Sequence, residues 1–146
     1  MREGAEDEIV IICSEPSEKI KRLERLIENA LGEDAEMILT LGEVEYFVRK
    51  RDVLFFETSS GKVAAHTKDR MYYTGETLLS LEASLPHSFM RVSKSCIVNV
   101  AEICAISRAL TGNGEILFKD GEKKVYVSRG YYKALKEKIY DIKGLK

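Results

Sequence analysis

Three short stretches carry side chains that could do chemistry. Ser93-Lys94-Ser95, with Arg91 two residues ahead, sets two hydroxyls, a mobile ammonium and a guanidinium side by side, just before the apolar run Cys96-Ile97-Val98. Ser59-Ser60-Gly61-Lys62 and Ser128-Arg129-Gly130 repeat that mixture of small, polar and basic residues. Hydroxyl and ammonium groups donate hydrogen bonds to phosphate oxygens. Arginine can also meet O6 and N7 of guanine with two donors in the major groove. Alone, each stretch reads equally as a solvated turn beside a buried strand, and Arg129 as a helix-start arginine paired to an acid.

Catalysis finds no comparable support. Ser59-Ser60-Gly61-Lys62 matches S-x-x-K, but an acyl-enzyme serine needs a helix start and further partners that are absent. Gly61-Lys62 lacks the earlier glycine and the following Ser/Thr of a phosphate loop. Neither His66 nor His87 has a cysteine or carboxylate at ligand spacing, and His66 reads as a half-buried strand residue. The acidic residues are scattered, with no pair set in apolar surroundings that would raise a carboxyl pKa. An enzyme, a cofactor, a metal and a small-molecule substrate are therefore not expected.

The chain has 146 residues, 45% of them hydrophobic, enough for one packed domain with a short appendage. Its net charge of −1 conceals an asymmetry: residues 1–44 carry 5 Lys/Arg against 12 Asp/Glu, and residues 45–146 carry 18 against 12. An acidic front piece joined to a basic body points to a polyanion partner for the body. No apolar run approaches the length of a membrane span, and the start is acidic where a signal peptide would be basic. Cys13, Cys96 and Cys104 are odd in number and lie in apolar, strand-like contexts, so buried free thiols in a reducing cytoplasm are expected.

The elements that must position the three stretches follow from periodicity. Ile9–Ile12 reads as a buried strand, Ser14 or Ser17 as a cap, and Ile20, Leu23, Ile27 and Leu31 as one face of a helix ending at Gly32. The pattern then changes to short strands: Met37–Leu41 and Val44–Val48 around Gly42, Val53–Phe56 broken by Thr58–Gly61, and Lys62–Thr67 and Arg70–Thr74 around Lys68-Asp69. Glu76–Leu85 reads as a short helix. Glu102–Ser107 and Glu115–Lys119 flank the turn signal Thr111-Gly112-Asn113-Gly114. Asp120-Gly121 turns into Lys123–Val127, and a basic helix from about Tyr131 to Ile139 closes the chain. The body is thus mainly β (α+β) and antiparallel, with a short middle helix and a C-terminal helix.

On these residues the run from about Val44 to Ile139 resembles a LytTR-type DNA-binding domain of bacterial transcription regulators. The resemblance rests on Asp52–Glu57, Thr77–Glu82 with Leu85, Phe89–Val100 with Ile103 and Ile106, and Gly121–Tyr131 with Leu135. The joint pattern F-x-R-x-x-x-S-x-I-V-N followed by V-S-R-x-Y carries its specificity. It implies an elongated antiparallel β fold over residues 44–146, preceded by a β-α extension over 1–43. It further implies that loops, not a recognition helix, enter successive major grooves of duplex DNA. By position Lys62 belongs to the first contact loop, Arg91, Ser93, Lys94 and Ser95 to the second, and Ser128 and Arg129 to the third. Many relatives have histidine at the place of Ser93 and Arg or Asn at that of Lys94, whereas Ile97 and Asn99 read as fold residues.

The front piece is too short for a phospho-acceptor receiver, so control through a fused receiver is not expected. The chain looks like the free-standing, cytoplasmic subgroup with a Ser-Lys-Ser turn, whose members are often restrained by a small membrane protein. The helix stripe Ile20, Leu23, Ile27 and Leu31 would form a homodimer or dock on the body. The rival reading is a protein-interaction adaptor that has lost specific DNA binding.

Overall fold

The computed structural model describes residues 18–31, 35–119 and 122–145, the helix over 25–31 by its backbone alone. The expected strand at Ile9–Ile12, the cap at Ser14 or Ser17, the stop at Gly32, Cys13 and the Asp120-Gly121 turn lie outside the described residues. The chain divides into two compact units, residues 1–32 and 33–146. The described part of the first is helix α1 (Glu18–Leu31), on which Leu23 is 49% exposed.

Among its described residues the second unit holds ten strands and two α-helices. Strands β1 (Glu36–Leu41), β2 (Val44–Arg49), β3 (Val53–Ser59), β4 (Lys62–Thr67), β5 (Met71–Thr74), β6 (Phe89–Ser93) and β7 (Cys96–Asn99) form one sheet in the order β2-β1-β5-β4-β3-β7-β6. Strands β8 (Ile103–Arg108), β9 (Gly114–Phe118) and β10 (Lys124–Val127) form a second, in the order β10-β9-β8. Every pairing is antiparallel. Helix α2 (Leu78–Ser84) joins β5 to β6, and α3 (Arg129–Lys143) follows β10. This is the mainly β, antiparallel architecture read from the sequence. Strand β1 precedes residue 44 yet lies within the large sheet, paired with the edge strand β2 on one side and with β5 on the other.

The continuous apolar runs have a two-sided explanation. The centre of the large sheet is covered on both faces, so successive residues of β3 and β7 enter different cores. Phe55, Cys96 and Val98 pack with Ile116, Phe118, Val125, Val127 and the α3 residues Tyr132, Leu135 and Ile139. Phe56 and Ile97 pack with Leu39, Val63, Tyr72, Leu78, Leu81 and Phe89. Strict alternation is given up where both faces are buried, because neither face needs a polar residue. A register shift between Val53 and Phe55 turns Leu54 and Phe55 to the same core, the usual result of a β-bulge. Full burial of a side chain such as Phe56 contributes about 1.5–3 kcal/mol.

The helices are set by their ends. The Thr77 hydroxyl oxygen accepts from the Ser80 N–H at 3.0 Å, and so α2 starts at Leu78, two residues inside the expected span. Leu78 and Leu81 are buried while Leu79 faces solvent. Helix α3 begins at Arg129, earlier than expected, and ends on Gly144 in the left-handed conformation. Asn99, 1% exposed, donates from Nδ2 to the carbonyls of Val53 (3.1 Å) and Arg51 (3.3 Å), and its Oδ1 accepts from the Ala101 N–H. With Ile97 fully buried, both are fold residues, as read. The thiols divide. Cys96 is buried as expected, whereas Cys104 is exposed, because a bulge between Ile103 and Ala105 turns it outward on an outer strand of the small sheet.

Candidate nucleic-acid interface

The first polar stretch is a hairpin turn made from its own residues. Ser59 and Lys62 are paired across the two-residue turn Ser60-Gly61, whose φ angles are +53° and +80°. Positive φ at both central residues is what a type I′ hairpin requires. β3 therefore runs through Ser59 rather than breaking at Thr58. Lys62 is exposed, and its Nζ lies 5.4 Å from the centroid of the Tyr73 ring.

The second stretch is held from inside. A register shift between Arg91 and Ser93 leaves Val92 as an extra residue in β6. Arg91 then closes the turn with its whole head group. Nε donates to the Ser93 carbonyl (3.1 Å), Nη2 to the Lys94 carbonyl (2.8 Å) and Nη1 to the Glu82 carboxylate (2.8 Å). The Ser93 hydroxyl oxygen accepts from the Ser95 N–H at 3.2 Å and keeps its own proton to donate outward. The Lys94 and Ser95 side chains are exposed.

The third stretch is a strand-to-helix junction. Ser128 has extended backbone at the N-cap of α3 but its hydroxyl makes no capping bond. Instead the Arg129 N–H donates to Asn113 Oδ1, at 3.0 Å, from the β8–β9 turn. Gly114 pairs with Arg108, so that turn spans five residues. The Arg129 guanidinium is exposed and makes no ion pair or hydrogen bond among the described residues. Arg91 and Arg129 thus differ, one guanidinium held by the fold through three of its five N–H donors and the other presented.

Backbone bonds tie the three stretches together. The Thr58 N–H donates to the Ser95 carbonyl at 2.9 Å, linking the first to the second. The Val92 carbonyl, at the bulge, accepts the Ser128 N–H at 3.0 Å, linking the second to the third. Between the second and third lies a depression of about 540 Å³ whose lining includes Ser93, Ser95, Asn113, Lys124, Tyr126 and Ser128. Lys62, Lys94 and Arg129 stand outside it. Such a set of hydroxyls, amide and cations can donate to phosphate oxygens and base edges.

Glu57, which also lines this depression, lies across β3 and β4 from His66 and accepts from its Nε2 at 2.8 Å. The Lys123 Nζ donates to His66 Nδ1 at 3.3 Å and to the Arg70 carbonyl at 2.7 Å. His66 stacks on Phe55, with ring centroids 4.3 Å apart. Burial lowers its pKa, Lys123 lowers it further, and Glu57 opposes both. The histidine is half-buried, as read, but it has a carboxylate partner that sequence spacing concealed. A pair nine residues apart meets only because the hairpin folds back. No group of three metal-ligating side chains occurs among the described residues. Burial, then Glu57 nearby, pushes the Cys96 thiol up to about 12.

Glu82, Asn113 and Lys123 were read from the sequence only as parts of a helix, a turn and a strand, not as site residues, because the groups they meet belong to other elements.

The domain model described as the LytTr DNA-binding domain matches residues 43–140. The chain is 32% identical over 127 residues to the sensory transduction protein LytT of Bacillus subtilis, a match covering 84% of this chain and 52% of LytT. It is 30% identical over 112 residues to an uncharacterized HTH-type transcriptional regulator of Staphylococcus aureus, covering 76% and 75%. The chain thus spans about half the length of the LytT relative. A solved LytTr DNA-binding domain from a Bacillus cereus methyl-accepting/DNA response regulator has the same fold, with TM-score 0.66 at 24% identity over 71% of this chain and 95% of that one. With the family's domain matched across two-thirds of its length, this chain belongs to the LytTr DNA-binding domain family.

Proposed function

We propose that this chain is a transcription regulator that reads duplex DNA sequence-specifically through three loops entering the major groove. The observation that carries the reading is the tying of three hydroxyl- and cation-bearing segments by the bonds Thr58 to Ser95 and Ser128 to Val92. Arg129, whose guanidinium is exposed and uncommitted, is the main base reader. Ser93 and Lys94 supply base or phosphate contacts, Ser95 and Ser128 donate to the backbone, and Lys62 neutralises phosphate. Arg91 acts differently: with all three nitrogens bonded internally, it shapes the second loop rather than touching DNA. The half-exposed Leu23 face of α1 serves self-association.

The test is fluorescence anisotropy with the DNA upstream of the gene and a scrambled duplex, across a salt series. Tight binding to the former, lost in Arg129→Ala and weakened in Lys94→Ala, is expected. A steep salt dependence is expected as well, since phosphate neutralisation releases counterions. Weak binding, indifferent to sequence and to both substitutions, would favour the adaptor reading. Deleting residues 1–33 should reduce the oligomer; an unchanged mass in solution would remove α1 from that role.

A further inference from the structure

We infer that the β8–β9 turn is a seat for the reading arginine. Gly112 and Asn113 set the direction of the Arg129 side chain and hence which base it meets, a role that rests on the DNA reading above. Gly112 has φ +95°, and a Cβ built there would fall 2.4 Å from Arg129 Cδ and 2.8 Å from Cγ. The arginine stem therefore lies directly against the glycine backbone, in space that any side chain would take. Asn113 Oδ1 holds the Arg129 N–H at 3.0 Å. One residue is thus fixed at its main chain and along its stem by two successive turn residues.

The seat is itself braced. The Ala109 N–H donates to the Asn113 carbonyl (2.8 Å) and the Gly112 N–H to the Ala109 carbonyl (2.9 Å). At Gly114 a Cβ would fall 2.6 Å from atoms of the Tyr132 ring, so the next turn of α3 also packs on bare backbone. The Arg108 guanidinium lies 4.8 Å from the centroid of that ring. Two glycines two apart thus receive two α3 residues three apart. Joining two strands asks for no such fit to a helix. An arginine has several rotatable stem bonds, and a reader fixed before contact loses less freedom on binding. Gly112 and Asn113 are positioning residues: they act through Arg129.

The test is a double-mutant cycle read as discrimination, the ratio of Kd for scrambled to Kd for upstream DNA. Asn113→Ala and Gly112→Ala should each lower that ratio about tenfold, and should have no further effect in the Arg129→Ala background. Asn113→Asp keeps the acceptor and should hold the ratio, its added charge weakening both duplexes alike. Equal losses in both backgrounds, or a ratio unmoved by both substitutions, would overturn the seat. Should the wild type fail to discriminate, the DNA reading falls and takes this role with it. Hydrogen exchange at the Arg129 amide separates the two failures: slow in wild type and fast in Asn113→Ala if the seat exists, equal in both if it does not.

Discussion

The turn from Arg91 to Ser95 and the junction at Ser128-Arg129 each hold one arginine, by opposite means. In the turn, the guanidinium is spent on two nearby carbonyls and the Glu82 carboxylate, and the side chains offered outward are Ser93, Lys94 and Ser95. At the junction the main chain and stem of the arginine are held from Asn113 and Gly112, and the guanidinium is what is offered. The difference teaches that residue type alone does not assign a role in an interface. An arginine beside a polar turn is a brace when its donors find carbonyls at home, and is left free to meet a partner when they do not.

The largest break in the comparison should come from Arg91→Ala. Losing hydrogen bonds to a charged group costs about 2–3 kcal/mol of folding stability, measurable by denaturant unfolding. DNA affinity should fall with it at every salt concentration, because the second loop loses its shape rather than a contact. If stability is unchanged and only the salt slope moves, Arg91 is a phosphate contact after all. Arg129→Ala should do the reverse, leaving unfolding unchanged while costing about 1–3 kcal/mol of discrimination at one base pair. A base-by-base binding scan of the operator checks it.

Smaller effects sharpen the contrast with the first turn. Gly61 has φ +80° and open space where a Cβ would go, so Gly61→Ala carries only the conformational cost of about 1–2 kcal/mol, read as a shift in unfolding midpoint. Lys62→Ala should weaken binding evenly across sequences and lower the salt slope by about 1. The smallest effect concerns His66. Its pKa is lowered in the folded protein, so unfolding takes up protons and stability is lost as pH falls below the ordinary value of 6.5. Thermal melting from pH 7.5 to 5 should show that loss, and His66→Gln should flatten it.

What was legible in the sequence was what neighbours decide. A turn after β3 and a helix from about Tyr131 to Ile139 were both read from local signals, although the turn narrows from Thr58–Gly61 to Ser60-Gly61 and the helix extends past both read ends. The burial of Cys96 was equally plain from its apolar run. What stayed hidden was decided by residues remote in the chain. Asn113 reaches Arg129 across sixteen positions, and α3 therefore starts earlier than its apolar spacing implies. Cys104 sits in a run as apolar as that of Cys96, and only the bulge beside it sends it outward. Bulges leave no mark in a pattern of period two, which is also why Val92 gave no hint of its bond to Ser128.

The depth of Cys96 gives the domain a chemical probe. With its thiol pushed up to about 12, Cys96 carries almost no reactive thiolate at neutral pH. Cys96 also sits in the strand that leaves the second loop, in the core beneath α3. An alkylating reagent should modify exposed Cys104 promptly and Cys96, 6% exposed on the lining of the depression, far more slowly. Site-resolved labelling of the two would read Cys96 against an internal standard, with and without DNA, in the same tube.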